Sequence, residues 1–369
     1  MSKILILAIN PGSTSTKFAV YEDEKCILIK TLRHSVEELS KYRSVVDQFD
    51  FRKGLIIEAL VEEGLEVDSI KHIIGRGGLT YPMESGIYHV NNLMLEHARA
   101  GVMGQHASNL GPLIADYIAL QIPNARAFIA DPVVTDELEP IARIAGHPNF
   151  ERISIFHALN QKAIARLHAL KTGREYEELN LVVVHLGGGI SVGAHQKGRV
   201  VDVNNALNGE GPFSPERSGT LPVAQLIEIC YSGKYSKDQV HRMVLGEGGY
   251  VAYLGTNNAL EVQKAAEAGD TKSQMIQDAL GYQVSKLIGE MAVVLNGNVD
   301  GILLTGGIAH NSYLTGYISR KVSFIGKVFI YPGEDELEAL ALNALRVARG
   351  EVEPKIYVGK IQDILFNEF

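Results

Sequence analysis

The sequence predicts an α/β protein that contains two similar domains. Short apolar segments rich in β-branched residues alternate with segments of helical periodicity along the chain. One order of elements occurs twice: an apolar strand, a glycine-rich turn, a second strand, a polar turn and a third strand. The length of 369 residues is that of two average domains. This duplication predicts two α/β domains that face each other across a central cleft, a favoured place for a ligand.

The first copy of the repeat opens the chain. Its strands are predicted over 3–9, 17–21, 27–32, 70–75 and 127–130, with a helix over 109–120. The turn at 10–16 is predicted to expose Asn10, Gly12, Ser13, Thr14, Ser15 and Lys17. Hydroxyls, amides and one lysine suit an anion such as a phosphate. An ordinary hairpin is the alternative, because serine, threonine and glycine are common in turns.

The second copy begins near residue 181. Its strands are predicted over 181–186, 191–195, 199–203, 301–305 and 327–331, and helices over 158–170, 223–230, 272–295 and 336–349. Its glycine-rich turn is Gly187-Gly188-Gly189, which leads into a second strand and not into a helix. The sequence therefore lacks support for a dinucleotide-binding fingerprint, and it contains no G-x-x-x-x-G-K-[ST] motif.

Composition narrows the class of partner. The 35 basic and 43 acidic residues give a net charge of -8, and no dense basic run suggests nucleic acid. The two cysteines, Cys26 and Cys230, are too few for a disulfide framework, so a reducing cytoplasm is expected. No apolar run approaches the roughly 20 residues of a membrane helix, so no membrane partner is expected.

Three charged residues lie where predicted strands or loops offer a site. Arg76 lies among glycines, which would let a substrate approach its guanidinium; a surface arginine is the alternative. Asp131 follows a strand, where α/β sheets place ligands and where a carboxylate suits Mg²⁺; a turn aspartate before proline is equally possible. Arg217 lies in the irregular segment 209–220, and loops of this length are often functional.

Two histidines precede predicted helices. His106 could bind a ligand, or it could be a helix cap or a surface residue. His157 could likewise act in a site, or it could be a buried histidine whose hydrogen bonds are made within the protein. Gly306 and Gly307 end a strand and could pack against a flat ring such as adenine, or simply form a turn.

Three acids lie at the start of the last predicted helix. Glu334, Asp335 and Glu336 could be helix N-terminal charges or water-mediated Mg²⁺ ligands.

The order of these motifs resembles the actin-like ATPase superfamily, whose domains are ribonuclease H-like. Within it the chain is similar to the acetate and butyrate kinase family over essentially its whole length. The family's opening pattern Asn-x-Gly-Ser-x-Ser-x-Lys is met at Asn10, Gly12, Ser13, Ser15 and Lys17. Its later elements are matched by Arg76-Gly-Gly78, Asp131, Phe156-His157, Arg217-Ser-Gly219 and Glu336, with Glu334 as a competitor for the last.

Departures from the acetate kinase pattern favour the butyrate branch. The segment Phe156-His-Ala-Leu-Asn-Gln161 replaces Phe-His-Gly-Thr-Ser-His. Gly188 replaces an asparagine, so backbone amides would have to contact phosphate at that position.

The resemblance implies a domain over 1–152, completed by a C-terminal helix at about 335–369, and a nucleotide-binding domain over 153–334. It implies reversible phosphorylation of butyrate, or of a similar short-chain or branched carboxylate, by ATP with Mg²⁺. Acetate or propionate kinase, sugar kinase and nucleotide-driven switch remain alternatives. A homodimer or higher homo-oligomer is the expected assembly.

The implied roles are these. Arg76, Arg217, His157 and Asp131 are catalytic, and Asp131 and Glu336 hold the metal. Asn10, Ser13, Ser15, Lys17, His106 and Gly187–Gly189 bind substrate or phosphate, with Gly188 among them. Gly306, Gly307 and Asn311 bind adenosine.

Overall fold

A computed structural model describes residues 3–360 and contains two mixed β-sheets, each covered by helices. The chain divides into two units: one combines the segment up to Asp136 with the segment from Asp335, and the other spans Glu137–Glu334. Residues 361–369, which the sequence analysis joins to the first domain, lie outside the described residues. The domain limits inferred from the resemblance stay a prediction.

The first unit is built on a seven-stranded sheet of order β12-β5-β6-β4-β1-β2-β3. Its strands are β1 Leu5–Pro11, β2 Ser15–Glu22, β3 Lys25–Arg33, β4 His72–Arg76, β5 Ile87–His89, β6 Arg126–Ala130 and β12 Lys355–Ile356. Its helices are α1 Val36–Leu39, α2 Phe49–Glu62, α3 Asn92–Ala100, α4 Leu110–Gln121 and α13 Glu336–Ala348. Strands β1, β2 and β3 are antiparallel, whereas β4 and β6 continue the sheet in parallel with β1.

The second unit repeats this arrangement in a five-stranded sheet of order β11-β10-β7-β8-β9. Its strands are β7 Asn180–Leu186, β8 Ile190–Gln196, β9 Arg199–Val203, β10 Gly301–Gly306 and β11 Val328–Pro332. Its helices are α5 Pro140–Arg143, α6 Ala158–Thr172, α7 Val223–Tyr231, α8 Lys237–Val244, α9 Gly249–Leu254, α10 Ala259–Glu267, α11 Thr271–Val294 and α12 Ser312–Val322. The order β11-β10-β7-β8-β9 matches β6-β4-β1-β2-β3 strand for strand, as the duplicated sequence pattern predicts.

Burial on both faces explains why the sequences of the central strands are nearly continuous apolar runs. In the first unit α4 packs on β4 and β6, while α13 packs on β1 and β4. In the second unit α11 packs on one side of the sheet and α6 contacts β7 and β10. Strands covered on both faces need apolar residues at successive positions, as in β7, where every residue is buried.

Element positions agree closely with the sequence prediction, apart from short or partly polar elements. Strand β9 has the predicted bounds, and α13 begins at the predicted residue, Glu336. Strands β5 and β12 were not predicted, and the predicted helices did not include α1–α3, α5, α8–α10 or α12. The first glycine turn is shorter than predicted, because Asn10 and Pro11 belong to β1 and Ser15 begins β2.

Within residues 3–360, no helix combines the length and the apolar character needed to cross a bilayer.

Candidate active site

The tip of the first hairpin is closed by hydrogen bonds between its own backbone groups. Asn10 pairs with Lys17 and Pro11 with Thr16, and Gly12 N donates to Ser15 O at 2.7 Å. The side chains of Ser13, Thr14 and Lys17 are exposed, as predicted for a phosphate-binding turn.

A buried arginine donates hydrogen bonds to the backbone carbonyl groups of this hairpin. Arg52, on α2, is 1% exposed, and its Nη1 donates to Gly12 O at 2.7 Å and to Ser15 O at 3.0 Å. Its Nη2 donates to Ser13 O at 3.1 Å. Burial lowers the pKa of Arg52 to about 10, which leaves the guanidinium charged at neutral pH. Arg52 was missed from the sequence, because the weakly amphipathic pattern of α2 does not mark this arginine as buried.

Asn10 is buried, at 7% exposure, so the prediction that the hairpin exposes it is wrong. Its Nδ2 donates to Glu336 Oε2 at 2.5 Å, and Arg76 Nη1 donates to the same oxygen at 2.8 Å. Arg76 Nη1 also lies 3.3 Å from Asn10 Oδ1. The three predicted site residues are thus brought together at the end of β1, the end of β4 and the start of α13. Their partners keep Asn10 out of solvent.

Asp131 follows β6, at the predicted carboxyl end of a strand. It is 2% exposed with φ of 37°, and its Oδ1 accepts hydrogen bonds from Ser85 Oγ at 2.6 Å and Gly86 N at 2.9 Å. A positive φ is rare outside glycine and marks a constrained position. Residues 3–360 contain no group of three or more histidine, cysteine or acidic residues that could hold a metal ion. The metal-binding roles of Asp131 and Glu336 stay a prediction.

His106 caps a short 3-10 helix at Ala107–Asn109. Its Nδ1 accepts a hydrogen bond from Ser108 N at 3.2 Å and lies 2.8 Å from Ser108 Oγ. This is the helix-cap alternative that the sequence offered, and a contact with substrate stays a prediction.

The second hairpin brings Gly187–Gly189 against an arginine. Gly187 N donates to Gly189 O at 3.1 Å, and Ser214 Oγ donates to Gly188 O at 2.6 Å. A Cβ on Gly189 would collide with Arg217 Nη1, so the guanidinium lies directly against this glycine.

Arg217 itself is held in the irregular loop by its Nη1, which donates to Ala206 O at 2.6 Å. Its Nε is buried without a hydrogen-bond partner among the described residues. Burial lowers the pKa of Arg217, with Glu216 acting in the opposite sense. A buried guanidinium with donor capacity left over is suited to an anion.

His157 lies immediately before α6, as predicted, and forms part of the same cluster. A Cβ on Gly189 would lie 3.3 Å from His157 Cε1. The ring of His157 stacks on that of His185, with centroids 3.8 Å apart and planes at 12°. His185 Nε2 lies 3.2 Å from Glu334 Oε2, so this competitor for the metal role contacts a histidine of the second unit. His185 was assigned no role from the sequence, although its position two residues before Gly187 was a usable signal.

Of the three residues predicted to bind adenosine, Gly307 has open space beside it, whereas Gly306 and Asn311 are in contact with neighbouring protein atoms. Gly306 has φ of 92°, and a Cβ there would collide with Leu186 O. Gly307 is exposed with open space around its Cα, as a flat ring would require. Asn311, however, caps α12 through Leu314 N at 3.0 Å and donates to Gln277 at 2.8 Å. The adenosine-binding role of these residues stays a prediction.

Comparison with known proteins places this geometry in a family. A family model described as the acetokinase family matches residues 152–327. Butyrate kinase 2 of Clostridium acetobutylicum is 54% identical over 355 residues, which cover 96% of this chain and 99% of the relative. The chain belongs to the acetokinase family. The family inferred from the order of the motifs is therefore confirmed.

Solved structures show the same fold as this chain. The acetate kinase of Porphyromonas gingivalis matches with a TM-score of 0.75 at 15% identity, over 94% of this chain and all of the other. A propionate kinase of Francisella tularensis matches with a TM-score of 0.71 at 18% identity, over 92% of this chain and 98% of the other. The acetate kinase of Entamoeba histolytica also matches with a TM-score of 0.71, at 16% identity over 94% of this chain and 98% of the other. The predicted actin-like α/β fold is thereby confirmed.

Proposed function

We propose that this protein catalyses the reversible transfer of the γ-phosphoryl group of ATP to butyrate or a similar short-chain or branched carboxylate, giving an acyl phosphate and ADP. The observation that carries the proposal is the Arg217 cluster. There a buried guanidinium, whose Nε has no hydrogen-bond partner within residues 3–360, lies against a glycine hairpin and a histidine. Such an arrangement is suited to stabilising the charge of a transferring phosphoryl group. The 54% identity to a protein named butyrate kinase 2 supports the same activity.

The chemistry requires no general base. A short-chain carboxylic acid has a pKa close to that of a glutamate side chain, roughly 4.3, so the nucleophile is ionised at neutral pH. One carboxylate oxygen attacks the γ-phosphorus in line, and the bond from phosphorus to the β–γ bridging oxygen breaks. ADP leaves with the electron pair. The protein's task is therefore positioning and charge stabilisation.

Each unit contributes a defined set of side chains to this proposal. In the first unit, Ser13, Ser15 and Lys17 bind phosphate oxygens, and Arg76, oriented by Glu336, binds the substrate carboxylate. In the second unit, Arg217 and His157 donate hydrogen bonds to the phosphoryl oxygens, and the open surface at Gly307 receives the adenine ring. Arginine is suited to both anions because its fork makes two parallel hydrogen bonds.

Mg²⁺ is part of the proposal and would be held through Asp131 and Glu336. Carboxylate oxygens are the donors that Mg²⁺ prefers, and it commonly uses only one or two of them together with substrate phosphates. When bound, the ion would neutralise part of the nucleotide charge.

The assembly of the protein as a homodimer or a higher homo-oligomer also stays a prediction.

We expect carboxylates of three to five carbons to be phosphorylated with a higher kcat/KM than acetate. The departures from the acetate kinase pattern at Phe156–Gln161 and Gly188 are the reason. Each methylene buried in an apolar pocket contributes about 0.8 kcal/mol, close to a fourfold preference per carbon. The measurement is hydroxamate formation from ATP, Mg²⁺, hydroxylamine and a panel of carboxylates.

The same assay contains its own controls. Sugars replace the carboxylates in parallel reactions monitored by ADP release. A preference for acetate would assign the protein to the acetate branch, and ADP release with a sugar alone would overturn the proposed function.

A further inference from the structure

A chain of buried polar side chains runs through the second unit behind His157. His157 Nδ1 lies 2.8 Å from Ser191 Oγ, and Gln161 Nε2 donates to that oxygen, also at 2.8 Å. Gln161 Oε1 lies 2.9 Å from His195 Nε2, and His195 Nδ1 lies 2.7 Å from Tyr176 OH. The side chains of Gln161, Ser191 and His195 have no solvent exposure. Water therefore does not compete for these hydrogen bonds.

The direction of each hydrogen bond in the chain follows from Gln161. Its Nε2 also donates to Ser191 O at 3.1 Å, and a carbonyl oxygen can only accept, so the amide nitrogen must face Ser191. The amide oxygen then faces His195 and accepts from Nε2–H of that ring. His195 Nδ1 accepts from Tyr176 OH. Burial, together with Lys162 and Arg166, holds the pKa of His195 well below its usual range, which agrees with a neutral ring.

The hydroxyl of Ser191 transmits this direction to His157. Its oxygen accepts from Gln161 Nε2 at 2.8 Å and, more weakly, from His157 N at 3.5 Å. A hydroxyl has two lone pairs and one hydrogen, so the hydrogen is left for His157 Nδ1. His157 Nδ1 is therefore an acceptor, and the hydrogen of the neutral ring is on Nε2.

We infer that the Ser191–Gln161–His195 chain fixes neutral His157 in its Nε2–H tautomer, which makes Ser191 and Gln161 positioning residues for that donor. The tautomer follows from the hydrogen bonds alone, whereas its catalytic use rests on the proposed function. In the opposite tautomer His157 would present a lone pair at Nε2, which would repel a phosphoryl oxygen. The chain thus keeps a hydrogen on Nε2 of a ring that lies beside Gly189 and Arg217.

The sharpest test is Gln161→Glu. A carboxylate has no N–H to donate, so the Ser191 hydroxyl must donate to it and can no longer donate to His157. His157 Nδ1 must then carry the hydrogen. The readout is the pair of ring ¹⁵N shifts of His157 in histidine-labelled protein without substrate, at a pH where the ring is neutral, assigned with a His157→Gln sample. We expect Nε2–H in the unmodified protein and Nδ1–H in the variant.

Tyr176→Phe is the matched control, because it removes one hydrogen bond from the far end of the same chain. His195 Nε2–H still donates to Gln161 in this variant, so the His157 shifts and kcat should stay as in the unmodified protein. For Gln161→Glu we expect kcat with butyrate to fall about tenfold. This is the effect of a roughly tenfold equilibrium preference for the Nδ1–H tautomer over the Nε2–H tautomer of His157. The KM for ATP should not change.

The outcomes separate the inference from the proposed function. Nδ1–H in the unmodified protein, Nε2–H retained in Gln161→Glu, or the same shift change in both variants would overturn the inference. If Gln161→Glu does not fold, Ser191→Ala replaces it and should give a mixture of tautomers, which Ser191→Thr reverses. Absence of kinase activity in the unmodified protein would defeat the proposed function alone, since the shifts are measured without substrate.

Discussion

Arg217→Ala is expected to lower kcat with butyrate by about 10²–10³-fold, because loss of one preorganised donor to a developing charge costs about 2.7–4 kcal/mol. The buried Nε of Arg217 has no partner among the described residues, so the structure leaves its donor capacity for a ligand. The affinity for ADP should change little, because the proposed phosphate contacts of Ser13, Ser15 and Lys17 are unaffected. Steady-state kinetics and ADP titration calorimetry measure the two quantities.

Two further variants make the result specific. Arg217→Lys should recover only part of the rate, since a point charge does not replace a bidentate fork. Arg242 lies in the same unit and has a side chain that is 54% exposed, so Arg242→Ala should leave kcat unchanged. A folded Arg217→Ala protein with nearly normal kcat would exclude this residue from the mechanism.

Arg52→Ala is expected to destabilise the protein and to weaken nucleotide binding together. The guanidinium donates to the carbonyl oxygens of Gly12, Ser13 and Ser15, and those of Gly12 and Ser13 would lose this donor, whereas Ser15 O would keep the hydrogen bond from Gly12 N. Each acceptor left without a donor costs about 1–3 kcal/mol, so the free energy of unfolding, measured by urea denaturation, should fall by about 2 kcal/mol or more. ATP affinity should fall as well, because the carbonyl groups would no longer be held away from the phosphate.

An exposed arginine provides the comparison for this loss. Arg99→Ala changes the same residue type on α3 of the first unit and should leave both the unfolding midpoint and the ATP affinity as they were. An Arg52→Ala protein with unchanged stability would mean that the hairpin closes without the arginine.

The parts of the fold that follow local rules could be predicted from the sequence. Strand β9 and the start of α13 have a clear local pattern, and the glycine turns separate apolar strands. Strand β5 was missed because three residues give too little periodicity.

The candidate site was predictable as a set of residues but not as a set of contacts. The exposure of Asn10 was predicted wrongly because its partner, Glu336, lies 326 positions away in the sequence. The role of Arg52 depends on backbone carbonyls, which leave no mark on residue identity. The chain behind His157 joins three segments whose hydrogen bonds exist only after β8 has packed beside α6.

The helix α13 has a consequence for synthesis on the ribosome. It packs on β1 and β4 and supplies Glu336 to Asn10 and Arg76, although the whole second unit separates it from Asp136 in the chain. At about 5–20 residues per second, translation from Asp136 to the end of α13 takes on the order of 10–40 s. During that interval six of the seven strands of the first sheet have been synthesised but the sheet lacks one of its covering helices, and its buried face is open to chaperones or to other nascent chains. The second unit, by contrast, is continuous and can complete its core first, so the order of folding is expected to reverse the order of synthesis.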